Sequence, residues 1–339
     1  MSVVHIARKA LIGLVACLAI LAGSALGALA YLGHQLDEVD RIPDVFADLG
    51  PRPERLQEGT AAGAMNILLM GTDRRSDVPT TGRSADGAAW VYGAQRSDAI
   101  ILVHIDGGRE SVTVISLPRD SWVEVPGYGM AKINAAYSYG GPALAVRTVE
   151  RLTGIRVDHL AVVDWDGFRE LIDAVGGISV RVPRTVYDSA RDVTWTAGAH
   201  HLDGTQALDY VGQRYGLPGG DLDRVRRQQA VLGTLAEETM DLRDSPSGIV
   251  DFVTMLTDHL SVDEGWSSRE LASLAWSLRD VGSEDVRCLT APVSGLGSVG
   301  DQSVVWLDRP RGAQLWRAIR TDRLDQWAAA HPDVDEGPS

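Results

Sequence analysis

The sequence predicts an α/β protein whose central mixed β-sheet is flanked by helices, carried behind an N-terminal membrane anchor. Three observations predict this. Short apolar, β-rich runs alternate with stretches of helical spacing from about Met65 to Trp327. The alternation lacks strict βαβ regularity, which points to a mixed rather than an all-parallel sheet. An uncharged apolar run, residues 10–32, precedes the whole of it.

Residues 1–9 carry His5, Arg8 and Lys9, and Asp37, Glu38 and Asp40 follow the apolar run. This asymmetry predicts a cytoplasmic N-terminus, a transmembrane anchor over 10–32 and an extracytoplasmic remainder. A helix of that length crosses about 30 Å of hydrocarbon. A cleaved signal peptide is the alternative, since Ala28-Leu29-Ala30 resembles a cleavage site; the run exceeds the usual apolar core of about 7–15 residues. Pro43, Pro51 and Pro53, with little apolar periodicity, make 33–64 read as a stalk. Residues 65–327 read as the extracytoplasmic soluble domain, long enough for one substantial core. Residues 328–339 read as a mobile tail.

Within the domain, Met65–Met70 is a strand that runs into the turn Gly71-Thr72-Asp73. Residues 99–106 and 111–117 form a hairpin around Gly107–Glu110. Leu144, Val149 and Leu152 mark a helix over 142–152. Residues 160–163 are a buried strand, Asp166 caps a helix that Gly176-Gly177 stops, and 178–182 return as a strand. Helices follow over 222–240, 247–260, 267–281 and near 310–321, with strands near 286–293 and 302–307.

Composition narrows the function. The formal net charge of −14 argues against a general nucleic-acid binder, which needs a broad basic surface. With Cys17 in the apolar run, Cys288 stands alone in the domain, so neither a disulfide nor a cysteine zinc site is available there. Cys288 reads as a small buried apolar residue.

Against this acidic background, residues 214–227 hold Arg214, Arg224, Arg226 and Arg227. Gly219-Gly220-Asp221 reads as a turn and helix N-cap, after which Arg224, Arg227 and Gln228 share a helical face at i, i+3 and i+4. Free N–H donors and planar guanidinium forks together suit phosphate; the plainer reading is a salt-bridged, solvated face. Three further clusters sit at predicted strand ends, Asp73, Gln95-Arg96-Ser97-Asp98 and Pro118-Arg119-Asp120, and a fourth is Lys132-Ile133-Asn134. Asp73 and Asp98 suit Mg2+, which takes one or two carboxylates and completes its shell with water and phosphate. Arg96, Arg119 and Lys132 would neutralise the phosphates.

In order behind the anchor stand NILLMGTD, QRSDAIILVHID, VISLPRDSWVEVPGYGMAKINAAYSYGG, AVVDWDGFRELIDAVGGISVRVP and GTQALDYVGQRYGLPGGDLDRVRRQQ. Over about residues 65–240 this resembles the LytR-CpsA-Psr family of cell-wall ligases, in an actinobacterial, arginine-rich form. The resemblance implies a phosphotransferase that attaches a glycopolymer (teichoic acid, capsular polysaccharide or arabinogalactan type), carried on a polyprenyl diphosphate, to peptidoglycan at the cell membrane. It implies a hydrophobic channel for the prenyl chain. By motif, Asp73 and Asp98 correspond to the family's magnesium carboxylates. Arg96, Arg119, Arg214, Arg224 and Gln228 correspond to its diphosphate set, with Lys132, Asp221 and Arg227 at matching positions; Arg96, Asp98, Arg119 and Arg214 are the expected catalytic group. A polyprenyl diphosphate hydrolase and a non-catalytic lipid-binding or regulatory protein remain alternatives.

One departure stands out. Where the family often reads Tyr-Val-Arg-x-Arg, this chain reads Tyr210-Val211-Gly212-Gln213-Arg214. An arginine restored at 212 is expected to add a phosphate contact, and Arg226 to point away from the site as a solvated charge.

Overall fold

A computed structural model describes residues 31–55, 59–73, 80–83, 85, 90–213, 215–217, 219, 221–241 and 246–331. The expected anchor, but for its last two residues, and residues 332–339 of the expected tail lie outside them; residues 328–330 of that tail belong to the last helix. Among the described residues no helix is long and apolar enough to cross a membrane.

The strands and helices of the first half are β1 (Asp40–Ile42), β2 (Met65–Thr72), β3 (Ser97–Ile105), β4 (Val112–Ser116), β5 (Trp122–Val125), β6 (Gly129–Lys132), α1 (Ala135–Thr153), β7 (His159–Asp164) and α2 (Trp165–Ala174). Next come β8 (Ile178–Val182), β9 (Val186–Asp188), β10 (Val193–Trp195), β11 (Gly198–Leu202), α3 (Gly204–Gly212) and α4 (Asp221–Asp241). The chain continues through α5 (Pro246–His259), β12 (Leu260–Asp263), α6 (Ser268–Ser277), β13 (Val286–Thr290), β14 (Val293–Val299), β15 (Gln302–Leu307), α7 (Arg309–Arg320) and α8 (Leu324–Ala330).

Seven strands make the central sheet, in the order β1-β12-β7-β2-β3-β4-β13. β2, β3 and β4 are antiparallel neighbours, whereas β7 lies parallel to β2 and β13 parallel to β4. The expected mixed sheet is therefore present. Its two faces separate by the period-2 rule. Leu68 and Met70 of β2 join Leu102, Val146, Val149 and Leu315 in one core; Ile67 joins Ile105, Ala161 and Val262 in another, against α6. A third core, with Ile178, Tyr210 and Val231, binds α2, α3 and α4 to the β8–β11 hairpin. Each such aliphatic side chain contributes about 1.5–3 kcal/mol when fully buried. Cys288 is buried in β13, as expected.

Four local expectations change. The stretch read as a stalk is folded onto the domain: β1 pairs in parallel with β12, and Val39, Ile42, Val45 and Leu49 are buried. The prolines misled because they sit in turns around a short apolar segment. Helix α1 starts earlier than expected, at Ala135, and is interrupted at Gly140 and Gly141. Gly141 has φ +64, and a Cβ there would lie 2.7 Å from the Trp90 ring; the break lets the 90–95 segment lie against the helix, with Gly93 N donating to Ser138 O at 3.0 Å. The cap of α2 is Asp164, not Asp166: its Oδ1 accepts from Gly167 N at 2.9 Å. The run near 286–293 divides into β13 and the first strand of a separate β14–β15 hairpin.

Candidate active site

The antiparallel order of β2, β3 and β4 brings the exit of β2, the entry of β3 and the exit of β4 to one edge of the sheet. Asp73 follows β2, Asp98 is the second residue of β3, and Arg119-Asp120 follow β4. A register shift at Gly71/Thr72 ends the β2–β3 ladder there. Beyond it, Asp73 N donates to Arg96 O at 2.9 Å, and the Asp73 carboxylate accepts from Arg96 N. Both the backbone and the carboxylate of Asp73 are thereby tied to the backbone of Arg96.

Arg119 is buried and forms a close ion pair with Asp98. Its loop is tied to the residues after β6: Ile133 N donates to Ser121 O at 2.8 Å and Asn134 N to Arg119 O at 3.2 Å. Lys132 Nζ lies 3.1 Å from Asp120 Oδ1. Helix α4 supplies Arg224, buried, and Gln228, whose Nε2 donates to Asp98 O at 3.5 Å.

Two cavities open from this cluster. One, of about 770 Å³, is walled largely by apolar groups, among them Leu69, Ile101, Val163, Phe168, Val231 and Leu232. The other, of about 840 Å³, is polar and is lined by Arg96, Asp120, Lys132 and Asn134. Asp73, Asp98, Arg119, Tyr215 and Arg224 line both. The charged cluster is thus the junction between an apolar and a polar chamber.

The structure brings Asp73, Arg96, Asp98, Arg119, Lys132, Arg224 and Gln228 around these chambers. Arg214 lies outside the described residues. Asp221, read with Gly219-Gly220 as turn and N-cap, is the first residue of α4, and its side chain lies outside them too. Arg227 is placed differently from the expectation and lines neither chamber. It is buried, with its guanidinium 4.2 Å from the centroid of the Tyr210 ring, and Nη1 donates to Gln213 Oε1 at 2.5 Å and Tyr210 O at 3.1 Å. Burial draws its pKa below the usual arginine value and raises that of Tyr210. At about 100° per residue, Arg227 sits some 60° from Arg224, far enough to meet α3 instead of the chambers. It positions Gln213, which lines the polar chamber. Arg226 is exposed and pairs with Asp223 at 2.9 Å, as a solvated charge should.

Sequence reasoning missed several lining groups. Trp122, Tyr139 and Tyr215 were inside quoted motifs but carry no charge to mark them. Asp301 comes from the β14–β15 turn and Gln302 and Ser303 from the start of β15, far from every motif. Arg191, in the β9–β10 loop, lines the apolar chamber beside Gly212.

The donor set also bears on a metal. Among the described residues no group of three or more His, Cys, Asp and Glu side chains could hold an ion. Two carboxylates facing a shared space fit an ion that draws its other ligands from phosphate and water, as Mg2+ does.

The LytR_cpsA_psr family matches residues 47–321. The chain is 31% identical over 339 residues to the cell wall biosynthesis protein LcpA of Corynebacterium glutamicum, covering 90% of this chain and 64% of that protein. It is 35% identical over 199 residues to the polyisoprenyl-teichoic acid–peptidoglycan teichoic acid transferase TagU of Enterococcus faecalis, covering 58% and 61%. The chain therefore spans less than two thirds of the length of these relatives. The crystal structure of protein gbs0355 from Streptococcus agalactiae superposes with a TM-score of 0.66 at 26% identity, over 78% of this chain and 89% of that one.

Proposed function

The chain belongs to the LytR_cpsA_psr family, and on that footing we propose that it is a phosphotransferase of the cell envelope that moves a glycopolymer from a polyprenyl diphosphate to peptidoglycan. The observation that carries this reading is the junction: an apolar and a polar chamber meet at Asp73, Asp98, Arg119 and Arg224. That arrangement matches an amphiphile whose greasy tail and hydrophilic glycan are joined by a diphosphate. The name of the TagU relative describes such a reaction for that protein.

In the transfer, a hydroxyl oxygen of a peptidoglycan sugar attacks the phosphorus attached to the glycopolymer. A new P–O bond forms and the P–O bond to the bridging oxygen breaks. Polyprenyl phosphate leaves with the bond electrons, and the hydroxyl proton passes to solvent or base. Guanidiniums aimed at phosphate oxygens favour this step, because negative charge grows on the leaving phosphate. Arg224 and Arg119 are buried, so their charge acts with little screening. Arg96 and Lys132 reach the polar side. The Asp98–Arg119 pair holds that guanidinium toward the junction, and Gln228 fixes the backbone at Asp98. Mg2+, where bound, would be held by Asp73 and Asp98 and would neutralise diphosphate charge. The apolar chamber takes the first isoprene units, and the carrier places the domain at the membrane surface, where the expected N-terminal anchor would also hold it.

The test is product analysis. Full-length protein, a sugar-bearing prenyl diphosphate and peptidoglycan fragments should yield a phosphodiester-linked conjugate by mass spectrometry. Prenyl phosphate released together with a free sugar phosphate would mean that water is the acceptor. No prenyl phosphate at all would reject phosphotransfer.

A further inference from the structure

A third cavity lies at the end of the sheet opposite the charged junction. It holds about 920 Å³ and is lined by Arg52, Arg55, Arg156, Asp158, His159 and Glu270, with the exposed Glu54 beside them. Met65 also lines it and opens β2, and His159 opens the parallel strand β7. Asp73, after the far end of β2, and Asp164, at the far end of β7, line the apolar chamber. The six-residue β7 alone spans about 17 Å at about 3.3 Å per residue.

Most charges of this cavity are already engaged. Asp158 forms a close ion pair with Arg55 and accepts from Asn66 N at 2.9 Å. The Glu270 carboxylate accepts from Ser267 N at 2.9 Å and Ser267 Oγ at 2.8 Å, which caps α6. Arg52 is held by Glu150 at 2.6 Å. Two basic groups stand apart. Among the described residues the Arg156 guanidinium has no ion pair or hydrogen bond, while its backbone is fixed by Asn66 Nδ2, which donates to Arg156 O at 3.1 Å.

His159 is oriented as well. Asp263 Oδ2, on a side chain 1% exposed, accepts from Leu160 N at 3.1 Å and lies 3.1 Å from His159 Nδ1. The imidazole stacks on Trp266, with centroids 4.4 Å apart and planes at 13°. A buried carboxylate acceptor makes Nδ1 the N–H nitrogen and leaves Nε2 for the cavity. No described residue hydrogen-bonds that Nε2.

We infer that this cavity is a second anion site, built for a phosphate monoester, with Arg156 and His159 as its recognising groups. A guanidinium fork takes two phosphate oxygens at once. His159 Nε2 accepts from a P–OH or, when protonated, donates to a P–O−. A phosphate monoester offers both partners, whereas an ionised carboxylate offers acceptors alone. The volume leaves room for the alcohol part of the ester. None of these groups lines the two chambers at the junction, so the site does not depend on the proposed transfer. The phosphate has two sources, a soluble ester or the head group of a phosphatidate-type lipid.

The experiment titrates full-length protein calorimetrically with inorganic phosphate and, separately, with acetate. It is done in an Arg224→Ala background, which weakens phosphate held at the junction. Saturable phosphate binding should remain there, with acetate about tenfold weaker. Adding Arg156→Gln or His159→Phe should weaken phosphate about tenfold each, and Arg156→Lys should stay within about threefold. Arg156→Gln breaks no ion pair among the described residues, so it decides the matter even if His159→Phe folds poorly. Absence of saturable binding in the Arg224→Ala protein, unchanged affinity on adding Arg156→Gln, or acetate binding as tightly as phosphate would overturn the site. Protein in phosphatidylcholine nanodiscs with and without phosphatidate separates the sources. Soluble phosphate excluded by phosphatidate marks a lipid head group, and soluble phosphate bound equally in both marks a soluble ester.

Discussion

The guanidinium of Arg191 fills the space that a side chain at Gly212 would need. A Cβ at position 212 would lie 2.5 Å from Arg191 Nη2, while Arg191 Nη1 donates to Gly212 O at 3.2 Å. Arg191 also pairs with the buried Asp188 at 3.0 Å and with Asp209 at 2.9 Å. The glycine that departs from the family pattern is thus matched by an arginine arriving from another loop.

This reverses the expectation that Gly212→Arg gains a phosphate contact. The new side chain would displace Arg191 and leave Asp188 with only its bond from Ala190 N, at a cost of about 1–3 kcal/mol. We expect a lower melting temperature and no tighter prenyl diphosphate binding in Gly212→Arg. A stable Gly212→Arg single variant with improved affinity would show that Arg191 yields freely.

Three neighbouring arginines of α4 should behave in three ways. Arg224→Ala should weaken prenyl diphosphate binding by at least about tenfold, the loss of one charge-assisted contact. Arg226→Ala should do almost nothing, because a surface pair contributes about 0–1 kcal/mol. Arg227→Ala should mainly lower the unfolding midpoint, since it removes the cation–π contact and frees Gln213. Calorimetric titration and urea denaturation of the three proteins separate these outcomes, and an affinity loss greatest for Arg226→Ala would contradict the helix placement.

Asp98→Asn keeps the shape of the side chain but removes its charge from both Arg119 and the proposed magnesium site. Transfer should fall by about two orders of magnitude or more, roughly the cost of 2.7 kcal/mol in the barrier, and the melting temperature should fall as well, because the buried Arg119 loses its close partner. Added magnesium should stimulate the wild type and not the variant. Equal stimulation of the two would remove Asp98 from the metal site.

Acid stability should depend on Asp322. Hydrogen bonding with His104, 3.4 Å away across Nε2 and Oδ1, is the largest cause holding its carboxyl below the usual carboxylate range. A carboxyl depressed in the folded state stabilises fully above its unfolded value of about 3.9 and loses that contribution as pH falls through the lower folded value. The urea midpoint of the wild type should therefore drop more steeply below about pH 4 than that of Asp322→Asn. Parallel profiles would show that the pair does not contribute.

Much of the site was legible because its residues stand where strands end. Asp73, Asp98 and Arg119 are polar groups at the tips of apolar runs, and antiparallel pairing then gathers the tips. Arg224 was legible from helical spacing, and the same spacing misled for Arg227, because a 60° offset decides which neighbour a long side chain meets. Arg191 could not be found this way. Its role depends on β9 and β10 folding against α3, a long-range contact with no local signature. The β14–β15 turn was hidden for a similar reason: Gly295, Gly297 and Gly300 blur the alternation that marks a strand. β1 was lost among prolines, although its apolar residues are buried.

Whether one ligand spans the two chambers with its diphosphate at their junction is decided by comparing farnesyl diphosphate with inorganic pyrophosphate on wild-type protein, Leu232→Glu and Arg224→Ala. Leu232 lines only the apolar chamber of the two, and Arg224 lines both. Leu232→Glu should weaken farnesyl diphosphate by about tenfold or more while leaving pyrophosphate unchanged, and Arg224→Ala should weaken both. Farnesyl diphosphate affinity indifferent to Leu232→Glu, or pyrophosphate affinity indifferent to Arg224→Ala, would contradict that placement of the ligand.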